Sequence, residues 1–174
     1  MSAKLDMGKP VERGMQADAV ILVVEDQTAD VMVILRAFKE AKLENQVLVV
    51  NNGEEAIQYL SGEGIYTDRR KYPLPQLMLL DLKMPRVGGF DVLRWLRTRP
   101  DLKGIVTVVL TLSSELRDVN EAYQLGASSF LMKPDDFSNV TAMSRLLKDY
   151  WEKGNKSQSV MQRPKTQENS EGQR

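Results

Sequence analysis

The sequence contains no cysteine and no histidine. Without thiols there is no disulfide, no thiolate nucleophile and no cysteine-ligated metal site. Without imidazole there is no Ser-His-Asp catalysis, no usual zinc site and no ready pH switch near neutrality. Charge of one sign is not in excess either, since Lys+Arg and Asp+Glu each total 24. No global basic field therefore draws the chain to nucleic acid or to an anionic surface. No apolar run approaches the roughly 18 residues that span a membrane. The opening MSAKLDMGKPVERGMQ has charges and Gly/Pro breaks but no apolar signal core, so the cytoplasm is the default location. Carboxylate, lysine and hydroxyl chemistry remain. They are carried on 174 residues, 42% hydrophobic and 28% charged, enough for one compact soluble domain and short for two.

Residues 1–18 mix Lys, Asp, Gly and Pro without periodicity and read as a flexible leader. AVILVV (19–24) is a buried strand closed by Glu25-Asp26. Thr28 is placed to cap the following helix, whose apolar face is Val31, Ile34, Leu35 and Phe38 and which should reach about Lys42. QVLVV (46–50) is a second strand, followed by a short helix carrying Ala56, Ile57 and Leu60. SGEGIYTDRRKYPLPQ (61–76) has the Gly, Pro and charge content of a long exposed loop, read as a tolerated surface insertion. LMLLD (77–81) is a third strand. Pro85 and Gly88-Gly89 force a turn after Asp81, and a helix with Phe90, Leu93 and Leu96 follows.

IVTVVL (105–110) is a fourth strand ending at Thr111. The helix after it should turn Val119, Ala122 and Tyr123 inward and stop at Gly126. SSFLM (128–132) is a fifth strand ending at Lys133-Pro134, and a last helix is expected over 138–151. Residues 153–174 are polar and aperiodic and read as a disordered tail, leaving one domain over 19–152. Five strands alternating with five helices imply a parallel sheet covered on both faces, which explains why each strand is an unbroken apolar run.

In a parallel sheet the C-terminal strand ends share one edge. Glu25-Asp26, Asp81, Thr111 and Lys133 close four separate strands and so meet there. Each alone is an ordinary strand-ending polar residue. Together they describe a site. Three close carboxylates raise one another's pKa unless a cation joins them, and hard oxygen donors favour Mg²⁺, which commonly holds phosphate as well. With Lys133 and Thr111 added, the set suits a phosphoryl group, with Asp81 as the nucleophile that accepts it.

These residues resemble, in kind and in order, the receiver domain of bacterial two-component response regulators. The match spans about 20–151. It includes Glu25-Asp26, the DLKMP of 81–85, the following Gly-Gly, Thr111, Phe130 three residues before Lys133, and the Lys133-Pro134 step. The single-domain type associated with bacterial and cyanobacterial phytochromes is most similar, given SGEGIYTDRRKYPLP and the aromatic DYW at 149–151. The resemblance implies a flavodoxin-like, doubly wound, five-stranded parallel sheet of order 2-1-3-4-5 with five helices. It implies that Asp81 is the phosphoacceptor, that Asp26 and Asp81 bind Mg²⁺ directly, that Glu25 acts through water and that the Lys83 backbone carbonyl completes the metal ligands. Thr111 and Lys133 would grip the phosphoryl group, Phe130 would turn inward as a switch, and the Lys133-Pro134 bond would be cis. One departure stands out: Leu112 occupies a position where the family usually has a small residue.

The implied partners are a sensor histidine kinase, of the phytochrome type if the subtype holds, and a downstream protein target. A homodimer through the fourth helix, fifth strand and fifth helix is a further expectation. The 23 residues after Trp151 are too few for an output domain, so neither nucleic acid nor membrane is an expected partner. The reading is a phosphorylation-switched signalling protein and not an enzyme. Its alternatives are a phosphorylation-independent module on the same fold and a small metal-dependent phosphohydrolase. The last is disfavoured because Lys83 stands where such enzymes commonly carry a second Asp.

Overall fold

The computed structural model describes residues 19–112, 116–133, 145, 148 and 149. Its strands are β1 Ile21–Val24, β2 Val47–Val50, β3 Leu77–Asp81, β4 Val106–Thr111 and β5 Ser129–Met132. They form one sheet in the order β2-β1-β3-β4-β5, every pair parallel, as the sequence predicts. The helices are α1 Thr28–Glu40, α2 Gly53–Ser61, α3 Gly89–Arg97 and α4 Leu116–Gln124. The fifth expected helix falls largely outside the described residues. So do the leader, the tail and Pro134, and with Pro134 the expected cis bond. Among the described residues no helix is long and apolar enough to cross a membrane.

Successive strand residues face opposite sides of the sheet, so an unbroken apolar run feeds two cores at once. Ile21, Val23, Leu77 and Leu79 pack on one side with Ile34, Ala37 and Phe38 of α1. Leu22, Val24, Met78 and Leu80 pack on the other with Ala56, Tyr59 and Leu60 of α2 and Val92 and Leu93 of α3. Burial on both faces pins the register, because slipping any strand by one residue would exchange its two side-chain sets.

Four expectations are corrected. Thr28 does not cap α1; Gln27 holds that position, and its backbone N–H donates to Glu25 Oε1 at 3.1 Å. Leu35 is exposed, and Ala37 takes its place on the buried face of α1. Tyr123 is exposed too, leaving Ala122 as the buried residue of α4.

The fourth concerns the segment 61–76, which is mostly exposed as expected but is tied to the core rather than merely tolerated on the surface. Gly64–Tyr66 forms a 3-10 turn that buries Tyr66. The Tyr66 ring lies 5.0 Å from both Tyr59 and Tyr72. Arg69 donates to the carbonyls of Tyr59 (2.7 Å), Leu60 (2.8 Å) and Tyr72 (3.2 Å). The guanidinium thus adds donors at the last turn of α2, where Tyr59 O also accepts from the Gly62 N–H at 3.1 Å. Gly62, with φ of 72°, adopts the left-handed conformation that brings the chain back for this contact.

Candidate acidic site at the C-terminal sheet edge

The backbone carries each polar group to the edge and stops there. Glu25 follows β1, and its N–H extends the β1–β2 ladder by donating to Val50 O at 3.1 Å. Asp81 is the last residue of β3 and Thr111 the last of β4. Lys133 follows β5, with its N–H donating to Thr111 O at 2.9 Å. The α3 N-terminus packs directly on the end of β3. A Cβ at Gly89 would overlap the Asp81 carbonyl oxygen and approach Leu82 Cα to 2.8 Å, so only glycine lets the helix begin that close.

Carboxylate oxygens of Glu25, Asp26 and Asp81 lie within 4.8 Å of one another. Glu25 is 1% exposed and Asp81 4%. The Lys133 ammonium reaches over the edge to Glu25 Oε2 at 2.6 Å, Asp30 Oδ2 at 2.8 Å and Asp81 Oδ1 at 3.2 Å. Burial pushes the Asp81 and Glu25 carboxyl groups above the ordinary carboxylate range, and Lys133 offsets part of that rise. Burial alone would depress Lys133. Its pairing with Asp30, Glu25 and Asp81 outweighs burial and holds the ammonium above the usual lysine value.

The donor set fits a divalent cation. Asp26 Oδ2 accepts from Gln27 Nε2 at 2.9 Å, whereas Asp26 Oδ1 is buried without a hydrogen-bond partner. An orphaned buried carboxylate oxygen beside two others is the arrangement a hard cation resolves. Glu25, Asp26 and Asp81 would hold it. The Lys83 side chain is exposed, and its backbone amide helps to lower the Asp81 pKa against the rise that burial causes. Thr111 is fully buried beside Lys133, and Phe130 lies inward in the core. Leu112 projects outward, 60% exposed.

The sequence reading thus brought together Glu25, Asp26, Asp81, Thr111 and Lys133, and it missed Asp30. That residue sits in the first turn of α1, a helix that opens at the site. Its proximity was the available signal, since a carboxylate one turn into such a helix overlooks the edge.

A doubly wound sheet with an acidic trio and one lysine at its carboxyl edge defines a regulatory receiver. The family model of the response regulator receiver domain matches residues 21–145, and the chain belongs to that family. It is 34% identical over 160 residues to the probable methanogenesis regulatory protein FilR2 of Methanothrix harundinacea, covering 90% of this chain and 97% of the relative. It is 33% identical over 132 residues to response regulator Rcp1 of Synechocystis sp., covering 76% of this chain and 88% of Rcp1. The crystal structure of the phosphorylated cyanobacterial phytochrome response regulator RcpA superposes with TM-score 0.70 at 31% identity, covering 77% of this chain and 94% of RcpA. The Mn²⁺-bound form of Rcp1 superposes with TM-score 0.69 at 30% identity, covering 84% and 99%.

Proposed function

We propose that the protein is a phosphorylation-switched response regulator whose Asp81 accepts a phosphoryl group from a sensor histidine kinase. The observation that carries this reading is the position of Asp81, buried at a strand end beside the acidic pair Glu25-Asp26 and 3.2 Å from the Lys133 ammonium. An Asp81 carboxylate oxygen forms the new P–O bond as the donor's P–N bond breaks, and the bonding pair returns to the donor imidazole. Mg²⁺ held by Asp26 and Asp81, with Glu25 acting through water and the Lys83 carbonyl as a further ligand, would neutralise charge on the transferring group. Lys133 and Thr111 then hold phosphoryl oxygens at the end of the transfer.

Phe130 already lies inward in this structure, so its proposed part in the switch is to be held there once Thr111 engages the phosphoryl group. Rcp1 is a response regulator and RcpA a cyanobacterial phytochrome response regulator, which supports a phytochrome-type kinase as the donor. Output through α4, β5 and the fifth helix, to a second copy or to a downstream protein, completes the proposal, with the cytoplasm as its compartment.

Incubation of the full chain with Mg²⁺ and phosphoramidate, followed by intact-mass spectrometry, should add one phosphoryl group. Asp81→Asn should add none. No uptake by the wild-type chain from this donor or from a cognate kinase would overturn the reading in favour of a phosphorylation-independent receiver module.

A further inference from the structure

We propose that Asp30 is a positioning residue for phosphoryl transfer: a displaceable counter-ion that holds Lys133 among the carboxylates and releases it when a phosphoryl group reaches Asp81. This rests on the reading of Asp81 as the acceptor. A lysine ammonium has three N–H donors, and here three carboxylates surround it, from Glu25, Asp30 and Asp81. Its hydrogen bond goes to Asp30 Oδ2, whereas Glu25 Oε2, though 2.6 Å away, accepts none. To turn to a phosphoryl oxygen on Asp81 the ammonium must leave a carboxylate, and access to water distinguishes Glu25 from Asp30. The Glu25 side chain is 1% exposed and would be left charged and dry, whereas Asp81 spends its own carboxylate charge in bonding the phosphoryl group. The Asp30 side chain is 35% exposed and can exchange the ammonium for water.

Two distances sharpen the role. Asp30 holds Nζ at 2.8 Å and Asp81 at 3.2 Å, so the displaceable partner is the tighter of the two. Asp30 therefore competes with the acceptor for the charge that transfer requires. It also places a negative charge at the solvent side of the site, which opposes approach of an anionic donor.

The test uses the full chain with Mg²⁺ and sub-saturating phosphoramidate. Asp30→Asn should raise the initial rate of uptake by about tenfold, the scale of one charge-assisted hydrogen bond. Asp30→Glu, which restores the carboxylate, should bring the rate back toward wild type. The Lys133 ¹⁵Nζ resonance supplies a readout that a merely structural residue would not move. It should shift in unphosphorylated Asp30→Asn, and it should shift on phosphorylation of the wild type as Asp30 is displaced. Wild-type uptake with an unchanged or slower rate in folded Asp30→Asn, or an Nζ signal identical in both, overturns this proposal alone. No uptake by the wild-type chain overturns the acceptor reading and this proposal together.

Discussion

Glu25 and Lys133 form a 2.6 Å ion pair across the sheet edge, with side chains only 1% and 7% exposed. Both charges are out of water, so the pair is secure only while it is intact. Lys133→Met would leave Glu25 and Asp81 buried beside each other without this ammonium. Unfolding free energy without divalent cation should fall by about 3–5 kcal/mol, the usual result of orphaning a buried charge. Mg²⁺ should recover part of the loss. Urea denaturation with and without Mg²⁺ measures both effects, and an unchanged midpoint would contradict the electrostatic account.

Asp81→Asn should act in the opposite direction. Burial raises the Asp81 and Glu25 pKa values above the ordinary carboxylate range. Between the unfolded and folded values the folded chain binds more protons, so stability falls as pH rises through that window. Removing the Asp81 charge should therefore stabilise the cation-free protein at neutral pH by about 1–2 kcal/mol and flatten the pH dependence on the acid side. Lys133 contributes with the opposite sign. Its raised pKa stabilises the fold below the unfolded lysine value, and that contribution is lost as pH climbs through the folded one. Thermal unfolding across pH, wild type beside variant, should show both slopes.

Arg69→Ala tests the segment 61–76 as structure. The guanidinium closes α2 carbonyls and braces the Tyr59–Tyr66–Tyr72 cluster. Its loss should destabilise the fold by about 1–3 kcal/mol by removing its donors to Leu60 O and Tyr72 O, while Tyr59 O keeps the Gly62 N–H. Phosphoryl uptake by the folded protein should stay at the wild-type rate. A rate that fell with stability intact would give the segment a functional part instead.

That segment also marks where sequence reasoning stops. The strands were legible because LMLLD and its counterparts must be buried on both faces, and burial on both faces leaves little choice of architecture. The site was legible for the same reason: a polar residue closing an apolar strand can only sit at the sheet edge. Tyr66, Arg69 and Tyr72 follow no helical or strand period, so their clustering is a tertiary fact that composition disguises as a loop. Leu35 and Tyr123 fit their helical patterns, but how wide a buried stripe becomes depends on the neighbouring elements. Asp30 lies in the first turn of α1 and closes no strand, so a reading built on strand ends passed it by.

Leu112 yields the last prediction. It follows Thr111, whose side chain is buried, and stands 60% exposed where a core function cannot explain it. The prediction is that an apolar side chain at this strand end restricts the approach of water to the Asp81 carboxylate, itself only 4% exposed. On the proposed acceptor reading, hydrolysis of a phosphoryl group on Asp81 needs an attacking water. Leu112→Ala should therefore shorten the phosphoryl lifetime several-fold with little change in stability, since surface substitutions usually stay within about 0.5 kcal/mol. Following loss of the phosphoryl group by mass spectrometry, with donor removed and Mg²⁺ present, compares the two lifetimes directly. Equal lifetimes would mean that Leu112 does not guard the site and that water enters from the α1 side, past Asp30.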